Sequence, residues 1–282
     1  MSVIIPASNE VGHIGACLAA MLASDPKPGA GSGSIALPMP VEVIVVANGC
    51  RDETAAIARG FARKFQAMGW DFKVLELGAV GKPGALNAGD AQAKFGARVY
   101  LDADVVLSPP LLDQVGRALQ VRRPVFVSGR VRIAPPKSFI SKLYASVYAR
   151  VPFMSQGVPG CGFFAVNECG RQRWRDWPKI ISDDTFARLL FTPQERVGVD
   201  AGYDWPVVEG FSNLVKVRAR QNAGVSEVLG KFPKLKQNDD KARLGLGGIA
   251  ALALSNPPGF AVYAGVALAT KFRRSEGWSR GR

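Results

Sequence analysis

Short, mainly apolar runs alternate along the first hundred residues with segments whose apolar positions recur every three or four residues. Val3-Ile4-Ile5, closed by Pro6, is one such run; Val41–Val46, Phe72–Leu77 and Arg98–Leu101 are others, and each predicts a strand. Between them Ile14, Cys17, Leu18, Met21 and Leu22 mark a helix with Asn9 as its cap. Thr54–Phe65 predicts a second helix, capped by Asp52, and Ala85–Phe95 a third, after the turn Gly81-Lys82-Pro83-Gly84. Ser24–Pro40, rich in Gly, Pro and Ser, reads as a mobile surface loop inside the fold. Strand and helix in alternation predict an α/β fold: a mainly parallel sheet, helices on both faces, and ligands at the carboxyl ends of the strands.

Beyond Pro110 the alternation loosens into a mixed half. It predicts a helix over Leu111–Gln120, a strand over Val125–Gly129, a helix over Phe139–Val151, a strand over Phe163–Val166 and a helix opening near Asp183. Composition shifts again after residue 215. Residues 216–282 hold 13 basic and 4 acidic residues, a net +9 of the whole chain's +13. The expected organisation is therefore a main domain over 1–215 and a basic, apolar, helical C-terminal segment over 216–282.

In that segment Leu244–Ser255 and Gly259–Thr270 are apolar, and Asn256-Pro257-Pro258 parts them. Each would extend about 18 Å as a helix, short of a ~30 Å hydrocarbon core, and the paired prolines interrupt any longer span. Two readings stand. The stretches form buried helices closing the core, or they form a hairpin in a membrane interface. Lys231, Lys234, Lys236, Lys241 and Arg243 on one side, with Lys271, Arg273, Arg274, Arg280 and Arg282 on the other, would suit anionic headgroups in the second reading.

At 282 residues, 48% hydrophobic and 21% charged, the chain can build one large core and is not a disordered sequence. Its positive charge attracts phosphate, whether of nucleotide, nucleic acid or anionic lipid, without choosing among them. Cys17, Cys50, Cys161 and Cys169 have neither zinc-site spacing nor disulfide density, which fits a reducing compartment. The first residues lack a charged leader and a cleavage site, so the expected location is cytoplasmic. His13 is the only histidine, which excludes multi-histidine metal sites and most histidine-dependent triads. Neither a glycine-rich dinucleotide fingerprint nor a Walker A sequence is present.

Four polar clusters fall where predicted strands end: Pro6–Glu10, Asn48–Asp52, Gly81–Asn87 and Asp102-Ala103-Asp104. In a parallel sheet these ends share one rim, so groups distant in sequence converge. Two carboxylates spaced as Asp102 and Asp104 can hold a hard divalent cation and leave its other positions to substrate phosphate, or can simply be a solvated turn. Lys82 reads equally as a charge facing phosphate and as an exposed turn lysine. Asp183-Asp184 opens an apolar helix, where acidic residues complement the helix dipole or where one takes a proton from a hydroxyl. Gly160-Cys161-Gly162 would let a substrate approach the backbone closely. Cys161, with no histidine near it in sequence, is read as a small buried residue.

Taken in order, SVIIPASNE, VIVVANGCRDET, GKPGALNAG, YLDAD, PGCGFF and SDDTFARLL resemble the family 2 glycosyltransferases, nucleotide-sugar enzymes of GT-A fold, over roughly residues 1–215. The resemblance implies that Pro6, Ala7, Asn9 and Glu10 line a nucleoside pocket with Asn48 and Asp52 nearby. Lys82 would lie beside the nucleotide, Asp102 and Asp104 would serve the diphosphate and Mg²⁺ or Mn²⁺, and Asp184 would be the catalytic base. Gly160, Cys161, Gly162 and Asp183 would belong to the acceptor side. Two departures matter. Ala47-Asn48 stands where many members carry an acidic pair, and no Gln-x-x-Arg-Trp of the processive synthases follows Asp184, which favours transfer of a single sugar.

On that reading a metal would offset the charge of a departing nucleoside diphosphate while Asp184 deprotonates an acceptor hydroxyl, and attack from the opposite face would invert the anomeric centre. The expected partners are a nucleotide-diphosphate sugar, a hydroxyl acceptor that is membrane-proximal or lipid-linked, and an anionic membrane surface. The enzyme would then sit on the inner face of the cytoplasmic membrane and serve cell-envelope glycan synthesis. A nucleotidyltransferase would share the sheet and the carboxylates, but its glycine-rich phosphate loop is missing after Ile5. A nucleic-acid-binding module would explain the charge, yet the basic residues lie beside apolar segments, not among stacking aromatics. No nucleic-acid partner is expected.

Overall fold

A computed structural model describes residues 1–24, 37, 39–242 and 244–272. Most of the loop expected over Ser24–Pro40, together with Arg243, Arg273, Arg274, Arg280 and Arg282, lies outside the described residues. The strands are β1 (Ser2–Ala7), β2 (Glu42–Asn48), β3 (Asp71–Leu77), β4 (Arg98–Leu101), β5 (Val106–Leu107), β6 (Phe126–Ile133), β7 (Phe163–Val166) and β8 (Arg196–Trp205). They form one sheet in the order β3-β2-β1-β4-β7-β6-β8-β5. From β3 to β4 all pairings are parallel, with Ser2 in register with Glu42 and Arg98. β7 runs antiparallel to β4 and β6, β6 and β8 are parallel, and the short β5 closes the edge antiparallel to β8.

The helices are α1 (Ile14–Leu22), α2 (Thr54–Arg59), α3 (Ala62–Ala67), α4 (Gly81–Gln92), α5 (Leu111–Ala118) and α6 (Phe139–Tyr148). They continue with α7 (Pro152–Ser155), α8 (Glu168–Arg171), α9 (Asp183–Leu189), α10 (Phe211–Lys231), α11 (Leu246–Ser255) and α12 (Pro257–Phe272). Because successive strand residues point to opposite faces, the continuous apolar strands feed two cores at once. Val3, Ile5, Val43, Val45 and Leu101 pack under α1, α3 and α5. Ile4, Ile44, Val46 and Tyr100 pack under α4, α9 and the Trp174–Ile180 stretch. This is the mainly parallel, two-faced α/β architecture that the pattern predicts.

Several local expectations change. The helix over Thr54–Phe65 is divided at Gly60 and Phe61 into α2 and α3, where glycine is a weak helix former. α1 starts after His13, not at Asn9, and α2 after Glu53, with no side-chain cap at either end. Gly81-Lys82-Pro83-Gly84 is the first turn of α4, where proline's missing N–H has no helical partner to lose. At Gly89 of the same helix a Cβ would fall 2.5 Å from Ile4 Cγ2, so the glycine lets α4 lie close on β1.

The last third builds a further core. Tyr144 and Tyr148 of α6, Leu214 and Val215 of α10 and Val266 of α12 are buried together. The boundary expected between residues 215 and 216 thus falls inside the continuous helix α10. Beyond α10 the chain is tied to the C-terminal end of α9. Arg188 and Arg196 both pair with Asp240, the second at 2.7 Å, and Asn238 Nδ2 donates to the Leu189 carbonyl at 2.9 Å. α12 packs on α6 and α10, the buried-helix reading of that stretch, whereas α11 has no buried residue and exposes Leu246 and Leu254. Among the described residues no helix is long and apolar enough to cross a membrane.

Candidate active site

The carboxyl ends of β1, β2 and β4 open into a cleft of about 310 Å³. Pro6 and Ala7 end β1 and Glu10 follows it, Asn48 ends β2, Lys82 lies in the first turn of α4, and Asp102 and Asp104 follow β4; all line it. Gly162, Asp183 and Asp184 line it from the other half of the molecule. The Asp102 turn is held from several sides. Its N–H donates to the Gly162 carbonyl at 2.8 Å, and its own carbonyl accepts from Val105 N at 3.1 Å and from Cys17 Sγ at 3.8 Å.

Lys82 joins the two acidic groups. Its Nζ lies 2.8 Å from Asp102 Oδ1 and 3.0 Å from Asp183 Oδ2, so one ammonium bridges the sheet rim and the start of α9. Burial alone would lower the lysine's pKa, but Asp102 and Asp183 outweigh it and hold the ammonium protonated. The two neighbouring carboxyls of α9 then differ. Asp183 is buried against Lys82. Asp184 accepts the Thr185 N–H at 2.7 Å and meets no lysine at ion-pair distance among the described residues. Burial, and after it the charge of Asp183, pushes the Asp184 carboxyl up to about 6.

Four of the expected site residues do not line the cleft. Asn9, with φ of 53°, accepts the Arg51 N–H at 2.7 Å, and Asp52 accepts Thr54 N at 3.1 Å and Val11 N at 3.2 Å. The two side chains lace the β1–α1 loop to the β2–α2 loop. Asn48 does a similar job while also lining the cleft, accepting Val80 N at 2.9 Å ahead of α4. Gly160 and Cys161 lie outside it as well. A Cβ at Gly160 would fall 2.6 Å from Phe126 Cζ, so the room expected there for substrate is filled by a phenyl ring. Cys161 is buried, and burial pushes its thiol far above the ordinary range, which leaves it without nucleophilic character. At Gly162, with φ of 70°, a Cβ would lie 2.9 Å from both Trp205 Cδ1 and Val105 Cγ2.

A further part of the lining was not anticipated from the sequence. Tyr144, Tyr148, Trp205, Arg218, Arg220 and Gln221 supply it from α6, the end of β8 and α10. A signal was present in α10, where Arg218 and Gln221 lie three residues apart and Leu214, Val215 and Ala219 are apolar; taking residue 216 as the start of a tail hid it.

Among the described residues no three metal-binding side chains cluster. Asp102 and Asp104 offer two hard carboxylate donors at one rim. That donor set fits Mg²⁺ or Mn²⁺ taken up together with substrate phosphate oxygens, and is too small for a tightly held resident ion.

The profile of Glycosyl transferase family 2 matches residues 2–187. No curated protein matches the sequence. Among solved structures, the mannosyltransferase PcManGT from Pyrobaculum calidifontis, in complex with GDP-Man and Mn²⁺, is 20% identical with a TM-score of 0.56, over 98% of this chain and 76% of that one. S. aureus TarS 1–349 is 11% identical with a TM-score of 0.51, over 96% of this chain and 91% of its own. At such identities the likeness is one of fold, and it extends through the C-terminal helices as well as the sheet. With roughly two thirds of the sequence inside the family profile, and the rim carboxylates and acidic pair of α9 brought into one cleft, the chain belongs to glycosyl transferase family 2 and is a glycosyltransferase of GT-A fold.

Proposed function

We propose that the enzyme transfers a single sugar from a nucleotide-diphosphate sugar to an acceptor hydroxyl with inversion, using Asp184 as base and Mg²⁺ or Mn²⁺ at Asp102 and Asp104. The observation that carries this reading is the Lys82 bridge between Asp102 and Asp183, which sets the phosphate-facing rim and the candidate base in one cleft. Pro6, Ala7, Glu10 and Asn48 form the nucleoside end, with Asn9 and Asp52 holding the loops that carry them. Lys82 adds positive charge where diphosphate would lie. A metal there would supply charge neutralisation for the leaving nucleoside diphosphate.

Asp184 has the position and the affinity for protons that the other step needs. A carboxyl titrating near 6 is ionised at neutral pH, yet binds a proton more readily than an ordinary aspartate. The base takes the hydroxyl proton while the oxygen attacks the anomeric carbon on the face away from the leaving group. No covalent sugar intermediate forms. Asp183, tied to Lys82, fixes the start of α9 and with it the direction of Asp184. Gly162 lines the same side, and Cys161 and Gly160 shape the loop behind it.

The acceptor is read as membrane-proximal. α11 presents Leu246, Ile249 and Leu254 to solvent, and exposed Lys234, Lys236 and Lys271 flank the two apolar helices. Such a surface suits peripheral attachment to an anionic leaflet on the cytoplasmic side. Sedimentation with anionic vesicles at low and high salt tests that part, and protein that stays in the supernatant at low salt refutes it. For the transfer itself, a panel of nucleotide-diphosphate sugars read by thermal shift with Mn²⁺ should yield a stabilising donor. Asp104→Ala should lose the metal-dependent part of that shift; an unchanged shift refutes the metal assignment.

A further inference from the structure

Arg218 stands on the cleft wall in company that leaves its charge unanswered. It rises from α10 and stacks on Tyr148, its guanidinium 5.3 Å from the ring centroid, with Tyr144 among its neighbours. Tyr263 of α12 completes the floor, 5.6 Å from Tyr144 and 6.4 Å from Tyr148 between ring centroids. Among the described residues no carboxylate lies within ion-pair distance of Arg218, whereas Arg188, Arg196, Arg171 and Arg173 each have an acidic partner. Lys241 feels the same excess: burial lowers its pKa, and Arg188 and Arg218 lower it further against the pull of Asp239.

A half-buried guanidinium without a counter-charge costs free energy unless a ligand brings one. The planar fork of arginine matches phosphate oxygens in pairs, and the tyrosine hydroxyl beside it offers another hydrogen bond. The position argues against the donor as that ligand. Lys82 and the two rim carboxylates serve the diphosphate end, on loops of β1, β2 and β4, whereas Arg218 belongs to the α6, β8 and α10 wall. Asp184 lines the same cleft.

We propose that Arg218, on its tyrosine floor, binds a phosphate or phosphodiester group of the acceptor, so that the enzyme selects acceptors carrying an oxyanion near the hydroxyl to be glycosylated. The assignment rests on the transferase reading above, since it takes the rim as the donor's place. Trp205 and the tyrosines would then pack against the part of the acceptor next to its phosphate. The oxyanion comes either from a lipid phosphate or from a small soluble phosphate ester.

Titration calorimetry on the full chain with octyl phosphate, inorganic phosphate and uncharged octyl glucoside tests it, with UDP and GDP plus Mn²⁺ as separate donor probes. The parent should bind a phosphate probe and not the glucoside. Arg218→Gln should weaken that binding at least tenfold, the scale of one lost charge-assisted hydrogen bond, while nucleotide diphosphate binds within twofold of the parent. Preference for octyl phosphate identifies a lipid-type acceptor, and equal binding of inorganic phosphate a soluble one. Tyr144→Phe, which keeps the charge and the ring, should weaken phosphate binding to a lesser degree and guards against a misfolded Arg218→Gln. Phosphate binding that is absent in the parent, or untouched by both variants, overturns the assignment, as does equal loss of nucleotide diphosphate in Arg218→Gln. A parent that binds phosphate through Arg218 but no nucleotide diphosphate overturns the transferase reading instead, and with it the acceptor role.

Discussion

Asp184→Asn should stabilise the fold at neutral and alkaline pH while removing activity. Asp184 titrates near 6 in the folded chain against an ordinary value of 3.8. A gap of about two pKa units corresponds to roughly 3 kcal/mol in favour of the neutral acid. The folded-state value lies above the unfolded one, so the folded chain binds the extra proton between them. The stability this contributes is fully present below 3.8 and is lost as pH rises through 6. Asparagine stays neutral at every pH, and its carbonyl oxygen can still accept the Thr185 N–H. The variant should therefore match the parent near pH 4 and exceed it by up to about 3 kcal/mol at pH 8. For a chain of this size that is a rise in Tm of several degrees, at about 2 °C per kcal/mol. Thermal unfolding of both proteins across this pH range, in chelator and without nucleotide, measures the difference directly. Under transfer conditions the parent's rate should rise with pH through about 6 and then level, and the variant should fall by ~10²–10⁴-fold. A Tm difference that does not change with pH, or a variant less stable at pH 8, refutes the burial argument. Parental transfer rates in the variant refute the base.

The Asp90 carboxyl is shielded, its side chain 8% exposed, and accepts from Arg98 Nε at 2.9 Å, Arg171 Nη2 at 3.0 Å, Tyr100 OH at 3.0 Å and Trp177 Nε1 at 2.9 Å, so Asp90→Ala should cost about 3–5 kcal/mol in urea unfolding by stranding two guanidinium groups. A loss below about 1 kcal/mol would show that the network relaxes without its centre. Gly162→Ala forces a side chain into the left-handed region and against Trp205, and should lower both Tm and turnover by disturbing the backbone that holds Asp102; activity equal to the parent's would contradict that coupling. Truncation after residue 242 removes Val266 and Tyr263 from the core they share with α6 and α10, and should lower Tm and promote aggregation. A truncated chain as stable as the parent would mean that α12 contributes nothing to that core.

The sheet from β1 to β4 was legible because its signals are local. Each strand is a short, mainly apolar run, and polar clusters follow the strands, so the rim at Ala7, Asn48 and Asp102 could be placed before any geometry was known. β5 and β8 were not legible. β5 has two residues and exists only by pairing with β8, and β8 alternates Val, Asp and Tyr with three small residues, so its pattern names no face until β6 lies beside it. The caps failed for a related reason. Asn9 and Asp52 are residues that suit helix starts, yet Asn9 spends its oxygen across the rim on Arg51 N, and Asp52 serves Thr54 N with one oxygen and Val11 N of the other loop with the second, a tertiary demand that no window of sequence contains.

The C-terminal segment is the sharper case. Leu244–Ser255 and Gly259–Thr270 look alike in sequence, both rich in small apolar residues with no polar face to orient them, and composition could only offer burial or membrane for the pair together. The structure divides them. α12 buries Gly259, Val266 and Thr270 and sets Tyr263 behind Tyr144 and Tyr148, while α11 meets mainly α12 and leaves its leucines outside. What distinguishes them is a partner surface made by α6 and α10, well upstream in the chain. The basic, apolar tail is therefore two things at once. One helix supports the tyrosine floor under Arg218, and the other carries the exposed apolar face. If the two proposals hold, a surface that engages α11 acts next to the helix that supports the tyrosine floor, and the placing of the acceptor and the attachment of the enzyme have a common physical origin in this fold.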